Sequence, residues 1–190
     1  MPPRWLLSSL LCATMLAQAA VQEPDAAATA AAVRAAMLLK IAGYLEVEPP
    51  KSSEQPTTTK QYRIGVVGND ATVAVAQKTL PGKSVGTAKV EVVSITTDDA
   101  IAGRAAAQCD LLYVATGLDA ETVEKIVAQQ AKQPVALVSA QPGFAAAGGG
   151  VQLFVKDGGT RLEVNKEALR RQGLRVSAQL LKHSQKGPTR

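Results

Sequence analysis

Four apolar runs, each short enough for a strand, recur through residues 62–139 with helix-forming or turn segments between them, and this alternation leaves few folds open. Tyr62 to Val67, Val90 to Ile95, Cys109 to Ala115 and Val135 to Ser139 read as strands. Ala71 to Leu80 reads as a helix with Asp70 near its cap. Thr97 is expected to cap a second helix, with Asp98 and Asp99 in its first turn, where they suit the helix dipole. Asp119 caps a third, which places Val123, Ile126, Val127 and Ala131 on one side before Pro134 stops it. Strands alternating with amphipathic helices imply right-handed crossovers and a mostly parallel sheet covered on both faces.

A different pattern begins at Pro142. Val151, Leu153 and Val155 alternate with Gln152 and Phe154, Lys156-Asp157-Gly158-Gly159 supplies a reversal, and Leu162 and Val164 alternate with Arg161 and Glu163. Asp-Gly tolerates the positive φ that a short hairpin turn requires, so the segment is an antiparallel β-hairpin. Asn165 can cap a short helix with Glu167 in its first turn, and Gly173 can end it in the left-handed conformation. Arg161, Glu163 and Asn165 fall on the face opposite Leu162 and Val164, with Phe144 nearby on the glycine loop. These four are the candidate partner- or ligand-contacting residues. Each also has a purely structural role available: ion pairing for Arg161 with Glu163, capping for Asn165.

The residues of this region carry a resemblance. G-F-A-x-x-G-G-G-V-x-L-F-V over Gly143 to Val155, R-L-E-V-N over Arg161 to Asn165 and A-L-x-R-x-G-L-x-V-S-x-Q-L-L over Ala168 to Leu181 together resemble the YfiR-like family of small periplasmic regulatory proteins. V-R-A-A-M-L-L-K-I-A-G-Y-L-E, Val33 to Glu46, looks like that family's first helix. The resemblance implies a secreted, non-catalytic α/β domain, functioning as a homodimer, that restrains or informs an inner-membrane signalling protein, a diguanylate cyclase or a sensor histidine kinase. Many members follow the first helix with an aromatic residue before proline, whereas this chain has Val47-Glu48-Pro49-Pro50.

The N-terminus agrees with export. Met1 to Ala19 has one positive residue, Arg4, an apolar run from Trp5 to Ala17, and Ala17 and Ala19 framing Gln18, the pattern of a cleavable signal peptide. Ser9-Leu10-Leu11 before Cys12 is a poor lipid-attachment site. Cleavage after Ala19 leaves residues 20–184 as a single domain and 185–190 as a basic tail, with no retained membrane span. Cys109 is then the only thiol, so no internal disulfide can form, and the disulfides of some relatives cannot be carried over. A small buried hydrophobe is the expected role for this cysteine.

Within that domain, Val33, Met37, Ile41 and Leu45 recur every four residues with Tyr44 beside the last, predicting a helix whose apolar stripe is core and whose start is Asp25 or Thr29. Pro49 to Lys60 reads as a solvated connector. The formal charge of +5 falls to +4 on cleavage, since Arg4 is the only charged side chain removed. Lys166, Arg170, Arg171, Arg175, Lys182, Lys186 and Arg190 against Glu167 concentrate the positive charge at the C-terminal end. For an exported protein that excludes nucleic acid as the natural target and leaves an acidic protein, anionic headgroups, or a merely solvated helix face.

No constellation in the sequence carries chemistry. Gly65 lies inside a strand, Gly68-Asn69-Asp70 lacks the third glycine of a dinucleotide fingerprint, and Lys83 follows a helix rather than opening one. His183 stands alone in the basic end, and neither paired histidines nor clustered cysteines occur, so no metal or other cofactor is expected. The sequence therefore predicts a three-layer α/β/α sandwich, Rossmann-like in its mostly parallel sheet, with a C-terminal antiparallel hairpin and no catalytic residues. Two functions suit it: a regulator working by protein contact, and a small-ligand sensor whose strand ends and Ala147-Gly148-Gly149-Gly150 line a cleft.

Overall fold

A computed structural model of the chain describes residues 23–47 and 61–187. The expected signal peptide at 1–19, the expected connector at 49–60 and the last three residues of the expected basic tail lie outside the described residues. Helix α1 (Glu23–Tyr44) runs directly into a short strand β1 (Leu45–Val47). The alternating unit then follows as β2 (Tyr62–Val67), α2 (Ala71–Thr79), β3 (Ser84–Val85), β4 (Ala88–Ile95), α3 (Thr97–Ile101), β5 (Leu111–Val114), α4 (Ala120–Gln130) and β6 (Ala136–Ser139). The C-terminal part comprises β7 (Val151–Lys156), β8 (Gly159–Val164), α5 (Lys166–Arg171), β9 (Leu174–Val176) and α6 (Ala178–His183).

Seven strands form one sheet in the order β3-β4-β2-β5-β6-β7-β8. The central five are parallel, and β3 and β8 are antiparallel edges. The parallel sheet and the hairpin edge match the sequence reading, while the β3 edge and a small sheet pairing β1 with β9 were not legible in it. Two- and three-residue strands carry no periodicity to detect.

Because β5 is buried on both faces, its side chains divide between two cores. Leu111 and Tyr113 face a core with α1, α2 and α6; Leu112 and Val114 face one with α3, α4 and Phe144. The result is the expected three layers. Gly65 lets the second core close up: a Cβ there would lie 2.6 Å from Cys109 Sγ. Cys109 is 3% exposed, its thiol donates to the Ala105 carbonyl at 3.3 Å, and burial pushes its pKa up to about 12. It is an inert core thiol.

Two local expectations are corrected. Thr96, not Thr97, caps α3, its hydroxyl accepting from Asp99 N at 3.1 Å. Helix α1 already runs through Asp25 and Thr29, starting at Glu23; of the expected stripe Ile41 and, at the start of β1, Leu45 are core, but the rest of the buried face of α1 is Ala31, Ala35, Leu38 and Ala42. Val33 is 41% exposed and Met37 half-buried. The helix turns its alanines inward because small side chains allow the closest approach to α2 and the sheet, and the larger Val33 and Met37 are displaced to the flank. By length and composition Ala27–Tyr44 is also apolar enough to cross a membrane, but here it is the packing helix of the domain.

Candidate functional site

In open α/β sheets, ligands usually occupy the crevice beyond the carboxyl ends of the strands, where the strand order reverses. That point here lies between β2 and β5, and it is closed by a side chain. Asp70 caps α2 by accepting from Val73 N at 2.9 Å through Oδ1. Its Oδ2 accepts from Tyr113 Oη at 2.9 Å, Thr116 N at 3.1 Å and Thr116 Oγ1 at 3.2 Å. A carboxylate thus occupies the position from which a nucleotide-binding loop would direct N–H groups at a phosphate. The crossing bonds tie the two loops together, and the glycine turn is structural.

The glycine loop after β6 is similarly filled. Phe144 is 1% exposed among the residues of the second core. A Cβ at Gly149 would overlap the Phe144 ring, and one at Gly150 would lie 2.7 Å from Leu169 Cδ2 and 3.0 Å from the Leu137 carbonyl oxygen. These glycines admit an aromatic ring and a leucine rather than a ligand. A cavity of about 260 Å³ remains between the loop and α4, lined by Val123, Glu124, Gln141, Phe144 and neighbouring alanines.

Around this loop the structure brings together three of the four candidate residues. Asn165 Oδ1 accepts from Ala168 N at 3.0 Å as the cap of α5, and Asn165 Nδ2 donates to the Ala145 carbonyl at 2.8 Å. Ala145 N in turn donates to Gln152 Oε1 at 3.2 Å, so hairpin and loop are joined around Phe144. Glu163 accepts from Gly187 N at 2.8 Å. The same C-terminal stretch runs along the edge of the sheet, with Gln185 N donating to the Leu162 carbonyl at 2.8 Å and Ser184 Oγ accepting from Val164 N at 2.9 Å. Residues 184–187 therefore cover part of the β8 edge, which otherwise offers unpaired backbone groups to other chains. Asp157 and Gly158, with φ of 52° and 71°, form the tight hairpin turn that sets the register Leu153↔Leu162 and Phe154↔Arg161.

Arg161 belongs to a different place. Its guanidinium folds back over Gly159, where a Cβ would lie 2.9 Å from Nη1, on the strand face opposite Leu162, while the residue itself borders a groove of about 500 Å³ between α1 and the hairpin. The walls are Val33, Met37, Lys40, Ile41 and Tyr44 on α1 and Thr160, Arg161 and Leu162 on β8. Leu180, Lys182, His183 and Gln185 close the end. Its floor is apolar, since Ile41, Leu162 and Leu180 are core residues. Lys40, Lys182 and His183 are exposed on its rim, and none of the described residues that line it is acidic. The two exposed large hydrophobic residues among those described are Val33, in the wall, and Val155, the cross-strand partner of Thr160. The sequence did hold a signal for this groove, because Val33, Met37 and Tyr44 form an apolar stripe beside the alanine stripe, and one helix cannot bury both against one sheet.

Among the described residues no group of three or more histidine, cysteine, aspartate or glutamate side chains is placed to hold a metal ion. The structure is similar to that of a conserved domain protein from Vibrio cholerae O1 biovar El Tor strain N16961, with a TM-score of 0.53 at 16% identity. The match covers 84% of this chain and 60% of that one, so this chain spans well under two thirds of the solved protein, and the likeness concerns the fold. No curated protein matches the sequence. The family model described as YfiR/HmsC-like matches residues 31–185, from the first core alanine of α1 to the stretch along the β8 edge, and the chain belongs to that family.

Proposed function

We propose that this protein is exported through a cleaved signal peptide to the periplasm and restrains an inner-membrane signalling protein, a diguanylate cyclase or a sensor kinase, by direct contact. In this reading it is a non-catalytic homodimer. Membership of a YfiR/HmsC-like family supports a regulatory role. The observation that carries the contact mechanism is the α1 flank, where Val33 is 41% exposed and Met37, packed on one side against the core, stands half-buried beside an open groove. Exposed apolar surface rimmed by polar groups is characteristic of interaction sites. Deleting the gene should raise the output of the cognate cyclase or kinase, and complementation with Met37→Asp should fail to restore it while the protein accumulates normally. Unchanged output on deletion would overturn the reading.

A sensor role is the second reading, supported by the cavity at the glycine loop. Gln141, 8% exposed in its wall, has a buried Oε1 without a hydrogen-bond partner. Thermal shifts against periplasmic extracts should then show a saturable stabiliser. A flat screen would remove this reading. The two readings combine if a ligand changes the affinity for the partner.

A further inference from the structure

We propose that the groove between α1 and the edge hairpin takes an apolar, acidic segment of the partner protein, with Met37, Ile41 and Leu162 receiving its apolar side chains and Lys40 and Lys182 its carboxylates. This rests on the contact mechanism above and gives it a location and a chemistry. Three features of the groove define the occupant. Its floor is continuous with the core around α1, so an apolar side chain entering there joins residues already out of water. Its rim carries Lys40 from α1 and Lys182 from α6, two separate elements, with His183 beside them and no carboxylate among the described residues that line it. An apolar cationic segment would meet uncompensated like charge, and an acidic polar one would leave the floor hydrated.

Arg161 borders the groove through its place in β8 but is no part of the cationic rim. Gly159 and Arg161 lie two residues apart on one face of the strand, and a Cβ at Gly159 would lie 2.9 Å from Arg161 Nη1, so the guanidinium sits on the face opposite Thr160 and Leu162.

The tail contacts and the groove share Leu162 and Gln185, joined through their main chains, but the cationic side chains of the rim take no part in holding the tail. Glu163 holds Gly187, whereas Thr160, Arg161 and Leu162 line the groove. The groove can therefore be altered while the tail stays in place.

The test uses the full mature chain and fluorescein-labelled peptides of matched length. One alternates Leu and Glu at helical spacing, a second replaces Glu by Lys, and a third replaces Leu by Ser. The Leu/Glu peptide should bind saturably, and the other two at least tenfold more weakly. Combining Lys40→Glu and Lys182→Glu should weaken the Leu/Glu peptide by tenfold or more and remove most of its salt dependence. Lys166→Glu with Arg171→Glu on α5 serves as a charge-matched control and should leave binding within twofold, and melting curves confirm that both variants fold. Equal binding of the Leu/Lys peptide, or an unchanged affinity in the Lys40→Glu, Lys182→Glu variant, would overturn the proposal. So would phosphatidylglycerol vesicles binding through the same two lysines while the Leu/Glu peptide does not. Cross-linked capture of a cyclase or kinase that survives the double groove variant would remove the groove while leaving the regulatory reading intact; absence of that capture with intact peptide binding would do the reverse.

Discussion

The two concave regions of this molecule differ in how they are filled. At the carboxyl ends of the strands, Asp70 accepts four hydrogen bonds and Phe144 fills the space left by Gly149, so the place where open α/β sheets usually hold ligands is largely occupied by the protein itself. At the sheet edge, α1 and the hairpin leave a groove of about 500 Å³ with an apolar floor and cationic rim. The first region spends its polar and aromatic groups on stability; the second leaves apolar groups partly in water, a cost that binding would recover. The winding of an open α/β sheet is thus kept while the more open groove lies at the edge of the sheet.

If that contrast is right, substitutions at the strand ends should cost stability and substitutions in the groove should cost only binding. The largest effect should come from Phe144→Ala, which empties a fully buried site and should destabilise by about 3–5 kcal/mol in chemical denaturation. A loss below about 1 kcal/mol would show that the loop is not packed as described. Asp70→Ala should follow with about 2–3 kcal/mol, since it removes an N-cap and strands the hydroxyl of the buried Tyr113. Met37→Asp in the groove should change stability by no more than about 1 kcal/mol, because its side chain is already partly solvated, yet abolish regulation in cells. A destabilisation comparable to that of Phe144→Ala would erase the distinction between the two regions.

The smallest effect concerns acid. A hydrogen bond from Arg104 holds the Asp99 carboxyl below its usual pKa, and the Thr122 side chain does the same for Asp119. A carboxylate whose folded pKa is lowered contributes stability that is present above its unfolded value, about 3.9, and is lost as pH falls through the folded value. The melting temperature should therefore decline as pH drops below about 4, and Asp119→Asn should flatten that decline slightly. An identical acid profile in the variant would assign the loss to other groups.

Much of the architecture was legible because it rests on patterns of adequate length. The boundaries of β2 agree with the sequence reading residue for residue, and the Asp119 and Asn165 caps and the Asp157-Gly158 turn are where the side chains predict them. What could not be read depended on contacts remote in sequence. The pairing of Leu45 with Val176 joins segments with no local signal, and the bond from Gly187 to Glu163 is visible only once the chain has turned over the β8 edge. Helix α1 shows the limit most directly. Its periodicity was evident, but a stripe of Val33 and Met37 and a stripe of Ala31 and Ala35 both fit it, and hydrophobicity alone selects the larger residues whereas close packing selects the smaller. The candidate site was affected in the same way. Arg161 was found by hairpin alternation, while Lys40, Tyr44 and Lys182 join it only through the packing of three elements.

The contact surface can be located most directly by placing a photoreactive amino acid at position 37, in the groove wall, or at position 124, beside the smaller cavity on the opposite face. Irradiation of cells should join the position-37 protein to a membrane signalling protein and leave the position-124 protein unattached. Cross-linking from position 124 with none from position 37 would contradict the account.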